Sequence, residues 1–331
     1  MSGRSGGQAG PGPAPDTPAT PAAAGGPQVI GLGMCTVDML FVVPEIPAFG
    51  HGLLATAYLR QGGGPVATAL VALARLGVST ALIGSVGDDD DGAFIVAELE
   101  REGVNVDRLR RVAGARSRVA LVLVQRHTGE RGFAGCPETC PPLGPGHLLP
   151  EELAGARILH LDDATPGAVQ AARWARAGGA EVVFDGTWTS DYLEELLPLV
   201  DVAIVSEPFA RAWAPASQPA ALVERLRGYG ARVAVLTRGS RGCVVSDASG
   251  VRAYAAYPVA VVDTTGAGDA FHGGFIYGLL QGWDTPHVVR FASAVAALNC
   301  RQLGGRTALP RLDEVARFLA CRPPLADAPV A

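Results

Sequence analysis

Lysine is missing from this chain: all 27 of its basic residues are arginine. That absence excludes chemistry built on an ε-amino group, including a P-loop ATPase, a protein kinase with its strand lysine and a Schiff-base enzyme. Any phosphate bound here must be met by guanidinium groups, backbone N–H groups or a metal ion. Aromatic residues are scarce too, at 6% of 331 residues, which leaves little to stack on a nucleobase. The six cysteines, at 35, 136, 140, 243, 300 and 321, are scattered and do not read as a disulfide framework. Cys136 and Cys140 have only His147 nearby as a further ligand, one short of a zinc set. No apolar run reaches the roughly 18 residues of a membrane-spanning helix. Residues 1–27 contain no signal-type apolar stretch, so reduced thiols in the cytoplasm are the expectation.

What is present is a globular composition, 48% hydrophobic and 18% charged, with a net charge of −5. That balance argues against a nucleic acid or an anionic membrane as the main partner. Residues 1–27 are almost wholly Gly, Pro, Ala, Ser and Thr and read as a disordered tail. The folded domain is expected over 28–323, with a second short tail at 324–331.

From Gln28 onward, short apolar runs alternate with amphipathic stretches. Val29–Gly33, Thr80–Ile83, Ile158–Leu161, Val182–Phe184, Val202–Val205 and Val233–Leu236 read as strands buried on both faces. Helices are expected at Val66–Leu76, Ala93–Glu102, Gly167–Ala177, Tyr192–Leu197 and Pro219–Tyr229, and three more from Ala270 to Ala320. This rhythm predicts an α/β fold with a mostly parallel central sheet. Two segments, about 40–61 and 116–135, break it and read as extended strands of a small β-lid, the second turning at Thr128-Gly129.

The strongest chemical signal is Asp263-Thr264-Thr265-Gly266-Ala267-Gly268-Asp269 ahead of an apolar helix. Glycines beside a helix N-terminus let an anion approach unpaired N–H groups, and Asp269 is placed either to cap the helix or to act as a base. A second Gly-rich stretch, Gln61-Gly62-Gly63-Gly64-Pro65, leads into another helix. Gly31-Leu32-Gly33 is not a dinucleotide fingerprint, because Thr36 stands where the third glycine belongs. Asp88–Asp91 lacks the spaced ligands of a calcium loop and reads as an acidic helix start. Asp162-Asp163 ends a strand on the side where α/β sites lie.

The Asp263–Asp269 segment resembles the signature of the ribokinase-like (PfkB) carbohydrate kinases. The resemblance implies a three-layer α/β/α fold and phosphoryl transfer from ATP, with Mg²⁺, to a primary hydroxyl of a sugar such as a ketose, a pentose or a related sugar acid. It makes Asp269 the base and Gly266, Ala267 and Gly268 the anion hole, with Asp263 and Thr265 at a monovalent-cation site, potassium being the ion. Asp38, Gly63, Gly64 and Asp163 fall at sugar-contacting positions. Thr68 stands where the family has Asn, losing the amide's reach. Thr237, Gly239 and Gly242 match a nucleotide-phosphate loop. Ser206 and Phe209 replace the Asn and Glu of the metal-supporting motif, which leaves Glu207 as the magnesium ligand. Lids of this kind pair between subunits, so a homodimer is expected.

Within the family the pattern is most similar to the sulfofructose kinases. However, Asp163 and Gly135 stand at the two sulfonate-gripping positions, and an Asp there repels a sulfonate. A neutral sugar is therefore favoured over sulfofructose. The reading of another class, a non-catalytic sugar or nucleotide sensor, draws on the changes at Thr68 and Phe209. A nucleoside kinase and a dehydrogenase fit less well, for the aromatic and glycine shortages given above.

Overall fold

The computed structural model describes residues 26–48 and 50–325. The tails read at 1–27 and 324–331 lie almost entirely outside the described residues. In chain order the elements are β1 (Val29–Leu32), β2 (Thr36–Val43), β3 (Ala57–Gly63), α1 (Pro65–Arg75), β4 (Thr80–Gly87), α2 (Asp90–Arg101), β5 (Val104–Asn105), β6 (Leu109–Val112), β7 (Arg118–Gln125) and β8 (Arg131–Cys136). There follow β9 (Ile158–Leu161), α3 (Pro166–Ala177), β10 (Glu181–Gly186), α4 (Leu193–Leu196), β11 (Val202–Ser206), α5 (Glu207–Trp213), α6 (Pro219–Gly228) and β12 (Val233–Thr237). The chain then forms β13 (Cys243–Asp247), β14 (Gly250–Tyr254), α7 (Ala267–Leu280), α8 (Thr285–Asn299) and α9 (Leu312–Ala320).

The large sheet runs β14-β13-β12-β11-β10-β9-β1-β4-β5, with β6 also paired to β4. From β12 to β6 the pairings are parallel; β13 and β14 extend the sheet as antiparallel strands. Side chains on a strand alternate between faces. Thus Val29 packs in one buried cluster, with α1, α7 and α8, while its neighbour Ile30 packs in the other, with α3 and α6. Val183, Ile204 and Val235 join the first cluster; Phe184, Val205 and Leu236 join the second. Each strand is apolar on both faces because helices cover both, which gives three layers.

A second sheet of four strands, β3-β2-β7-β8, forms the lid. It begins earlier than the sequence indicates. β2 starts at Thr36, ahead of the expected 40, so Asp38 lies on a lid strand, and the segment expected over about 40–61 is divided between β2, ending at Val43, and β3, starting at Ala57. The reason is local: Gly33–Cys35 breaks the chain into two short runs, and β2 is polar at Thr36 and Asp38, so apolar patterning alone misses it. Alternation and register put Thr36, Asp38 and Leu40 on the same lid face as Arg118, Ala120 and Val122 of β7, and as Arg131, Phe133 and Gly135 of β8. Leu40, Val122 and Val124 form the lid's own small core. Among the described residues no helix is long and apolar enough to cross a membrane.

Candidate active site

Parallel strands end together, and the expected site residues gather at that edge. Asp162 and Asp163 follow β9, Ser206 ends β11 and Thr237 ends β12, with Ser206 and Thr237 in register. α1 and α7 both begin at the same edge and pack against each other. Their first turns present N–H groups that no helical carbonyl accepts. Gly266 caps α7 with a left-handed φ of 71°, and a Cβ there would lie 2.6 Å from the Gly305 carbonyl oxygen, so only glycine fits. Asp269 is the third residue of α7.

The loop before α7 is braced from below. Asp263 is fully buried, and its carboxylate accepts from Thr265 N at 2.8 Å, Thr265 Oγ1 at 2.7 Å and Gly304 N at 2.8 Å. Asn299 Nδ2 donates to Thr265 O at 3.1 Å. The two residues expected at a cation site are therefore brought together, with the Asp263 carboxylate engaged by its own loop.

Across the cleft, Thr36 Oγ1 donates to Asp38 Oδ1 at 2.6 Å. A Cβ on Gly63 would lie 2.2 Å from Asp38 Oδ2, so this glycine lets the carboxylate reach the start of α1. Burial raises the Asp38 pKa above its ordinary value, against the Thr36 hydrogen bond. Asp162 and Asp163 take different parts. Asp162 is buried and accepts from Met34 N at 3.2 Å and Val66 N at 3.3 Å, pinning the β1–β2 turn to the first turn of α1. Burial pushes it up to about 8. Asp163 is half-buried, accepts from Ala164 N at 2.7 Å and feels the positive charge of Arg118.

Thr68 departs from its expected place against the sugar. It is 1% exposed, and its hydroxyl accepts from Arg306 Nε at 3.1 Å. Arg306 also donates from Nη2 to Gly63 O at 2.8 Å and sits 3.6 Å from the Glu98 carboxylate, whose Oε2 accepts from Gly62 N. Thr68 thus orders the Gly-rich loop through a buried arginine.

Three arginines at this site were not read from the sequence. Arg118 pairs with Glu138 at 2.5 Å. Arg131, on β8, donates to Thr264 O at 2.9 Å and Thr264 Oγ1 at 3.1 Å. Next to it Gly129 O accepts from Thr264 N at 3.2 Å and Thr264 Oγ1 at 3.0 Å, so the lid tip rests on the loop that leads into α7. One signal was available: in a chain without lysine, Arg131 just past the lid turn and Arg306 just past Gly304-Gly305 are natural anion partners.

These charges meet at Asp269. Burial raises its pKa well above the ordinary carboxylate value, and the Asp185 and Asp38 charges add to that; Arg131 and Arg306 oppose it. The positive end of α7 also favours the ionised form. The result is a carboxyl that takes up a proton more readily than a free one.

On the other side of α7 lies the second expected group. Ser206 caps α5, accepting from Phe209 N at 3.4 Å and donating to Gly186 O at 3.3 Å. Glu207 pairs with Arg241 of the turn at Gly239–Arg241. Thr237 Oγ1 donates to Val205 O at 3.3 Å. Gly242 follows the turn at a φ of 81°. Phe209 is wholly buried against Phe184 and Trp213, so it is a core residue and the carboxylate at this corner is Glu207.

The profile described as pfkB family carbohydrate kinase matches residues 28–312. The chain is 32% identical over 304 residues to an ATP-dependent ribose-1-phosphate kinase of Halopiger xanaduensis, covering 89% of this chain and 99% of that one. It is 31% identical over 315 residues to a fructokinase of Klebsiella pneumoniae, covering 87% and 98%. The solved structure of Arabidopsis thaliana ribokinase complexed with ribose and ATP shares the fold, with a TM-score of 0.78 at 23% identity over 90% of this chain and 100% of that one.

Proposed function

The chain belongs to the pfkB family of carbohydrate kinases and is a phosphotransferase acting on an alcohol group of a sugar, and from that premise we propose that its acceptor is a neutral ketose or pentose phosphorylated at a primary hydroxyl. The observation that carries this reading is the state of the site's arginines. Arg118 is paired with Glu138, Arg131 with Thr264, and Arg306 is buried beneath the Gly-rich loop. A sulfonate or phosphate on the acceptor would compete with Glu138 for Arg118 and would lie beside the carboxylates of Asp38 and Asp163, which repel it. The carboxylates of Asp38 and Asp163 instead suit hydroxyl donors, since an ionised carboxylate only accepts. Gly135, on the same lid face, offers no side chain to an anion.

In this reading Asp38 and the backbone at Gly63 and Gly64 hold the sugar. Asp269 takes the hydroxyl proton as the oxygen forms its bond to the γ-phosphorus and the bond to the β-phosphate oxygen breaks. The N–H groups of Gly266, Ala267 and Gly268 would meet the charge on the transferred group, that of Ala267 turning from the Thr264 carbonyl to which it donates at 3.2 Å. ATP lies toward Ser206, Thr237, Gly239 and Gly242. Glu207 would hold Mg²⁺, an oxygen-seeking ion that neutralises phosphate charge when bound. Asp263 and Thr265 would support a potassium ion beside the anion hole. Closure of the lid excludes water from the reacting phosphate. We place the enzyme in the cytoplasm, as a homodimer joined through the outer lid face, where Tyr58 and Leu121 are exposed.

The test is ATP consumption with Mg²⁺ over ribose, fructose, tagatose, 2-keto-3-deoxygluconate, ribose 1-phosphate, sulfofructose and nucleosides, with Asp269→Asn alongside. Turnover of one neutral sugar, lost in the variant, is expected. Turnover of a phosphorylated or sulfonated acceptor alone would overturn the substrate class. Activity surviving in Asp269→Asn would overturn the base, and ATP binding without any turnover would favour the sensor.

A further inference from the structure

One buried cluster lies beside that chemistry and supplies no group assigned to substrate, ATP or magnesium, although the Asp185 charge is felt at Asp269. His160 on β9, Asp185 on β10 and His272 on α7 are 0%, 5% and 3% exposed. One nitrogen or carboxylate oxygen from each lies within 4.8 Å of the others. His272 Nε2 is 3.4 Å from Asp185 Oδ2, too long for the charge-assisted hydrogen bond of about 2.7–2.9 Å that such a pair normally makes. The two imidazoles stack with centroids 5.2 Å apart.

His160 and Asp185 are already oriented, while His272 Nδ1 is buried with no partner. His160 Nδ1 lies 3.2 Å from Val183 O, so Nδ1 carries the proton and Nε2 is a bare lone pair. That buried Nε2 has no partner. Thr187 Oγ1 donates to Asp185 Oδ1 at 2.9 Å, which leaves Oδ2 turned to His272. An imidazole whose other N–H is fixed by a backbone carbonyl, beside a carboxylate whose other oxygen is already bonded, is the outer-shell pattern of metal ligands.

Two imidazoles and one carboxylate favour a zinc-type ion over Mg²⁺, which prefers oxygen alone. Tetrahedral bonds of about 2.0–2.1 Å put ligand atoms roughly 3.3–3.4 Å apart, which the His272–Asp185 pair already meets. We propose that His160, Asp185 and His272 bind one divalent cation of the zinc type, tying β9 and β10 to α7. The ion would sit one helical turn behind Asp269, distinct from any magnesium at Glu207. The assignment does not depend on the acceptor sugar or on the role of Asp269.

The test uses the full chain with its exposed thiols removed, Cys136→Ser/Cys321→Ser, so that zinc on cysteine is not counted. Protein expressed with zinc in the medium is desalted and its metal content measured. Stoichiometric zinc, lost in both His160→Gln and His272→Gln, is expected, together with a melting midpoint that falls on chelation in the parent and not in the variants. Folded parent protein with no zinc, or zinc that survives both substitutions, would overturn the proposal. Should the variants fail to fold, cobalt in place of zinc decides the matter on the parent alone. Visible d–d bands without a thiolate charge-transfer band support the site; absent bands, or a thiolate band, refute it.

Discussion

Replacing Arg306 by methionine removes the group that holds the Gly-rich loop while keeping much of its volume. The guanidinium is 1% exposed and makes bonds of 3.1 Å to Thr68 Oγ1 and 2.8 Å to Gly63 O. Burying it is itself costly, as its lowered pKa shows, so those bonds are partly offset. The larger effect falls on Glu98, which is 5% exposed and 3.6 Å from Arg306 Nη1. Removing one partner of a buried ion pair costs about 3–5 kcal/mol, because the other charge is left behind. Gly62 N and Arg101 still donate to Glu98, which places the expected loss near the low end, about 3 kcal/mol. Urea denaturation measures it. The companion Glu98→Gln/Arg306→Met variant removes the stranded charge and is expected to recover at least about 1 kcal/mol relative to the sum of the single changes. In the folded variant the sugar KM rises about tenfold, equivalent to about 1.4 kcal/mol, while the ATP KM stays put. A loss under about 1 kcal/mol, or strict additivity with Glu98→Gln, would refute the account.

Asp269→Asn is expected to lower kcat by about 10²–10⁴-fold, the usual share of a general base, with ATP affinity retained in a nucleotide titration. The pH profile of kcat/KM follows from the raised Asp269 pKa: the base works ionised, so activity falls as pH drops through that pKa. The acid limb should therefore lie above the ordinary carboxylate range, and a limb near 4 would contradict the burial argument. Gly63→Ala puts a methyl group against Asp38 and should raise the sugar KM at least about tenfold without moving the urea midpoint, as KM and denaturation measured together would show. Arg131→Met removes both side-chain bonds from the lid to Thr264 and should raise the ratio of ATP hydrolysed to sugar phosphorylated, read from coupled assays of both products.

The layers and the glycine turn that starts α7 were legible because their signals are local: buried parallel strands are continuous apolar runs, and glycines ahead of an apolar run mark a helix start. What stayed hidden depends on contacts between distant residues. β2 begins with Thr36 and Asp38 on the face that also holds Arg118 and Arg131, so its first residues do not show the pattern of a core strand. Thr68 read as a weakened sugar contact because its partner, Arg306, lies 238 positions away and is brought under it only by the fold. Asp162 and Asp163 are adjacent and alike, yet one is spent on the amides of Met34 and Val66 while the other keeps an open side. No spacing rule separates them.

Asp38 is carried by β2, one of the two inner strands of the same four-stranded sheet that brings Arg131 down on Thr264. In the proposed reading, the sugar's grip and the lid's contact with the loop before α7 therefore belong to one sheet. A sugar held by Asp38 would travel with any movement of that sheet, toward Asp269 as the sheet closes and, once phosphorylated, away from it as the sheet reopens.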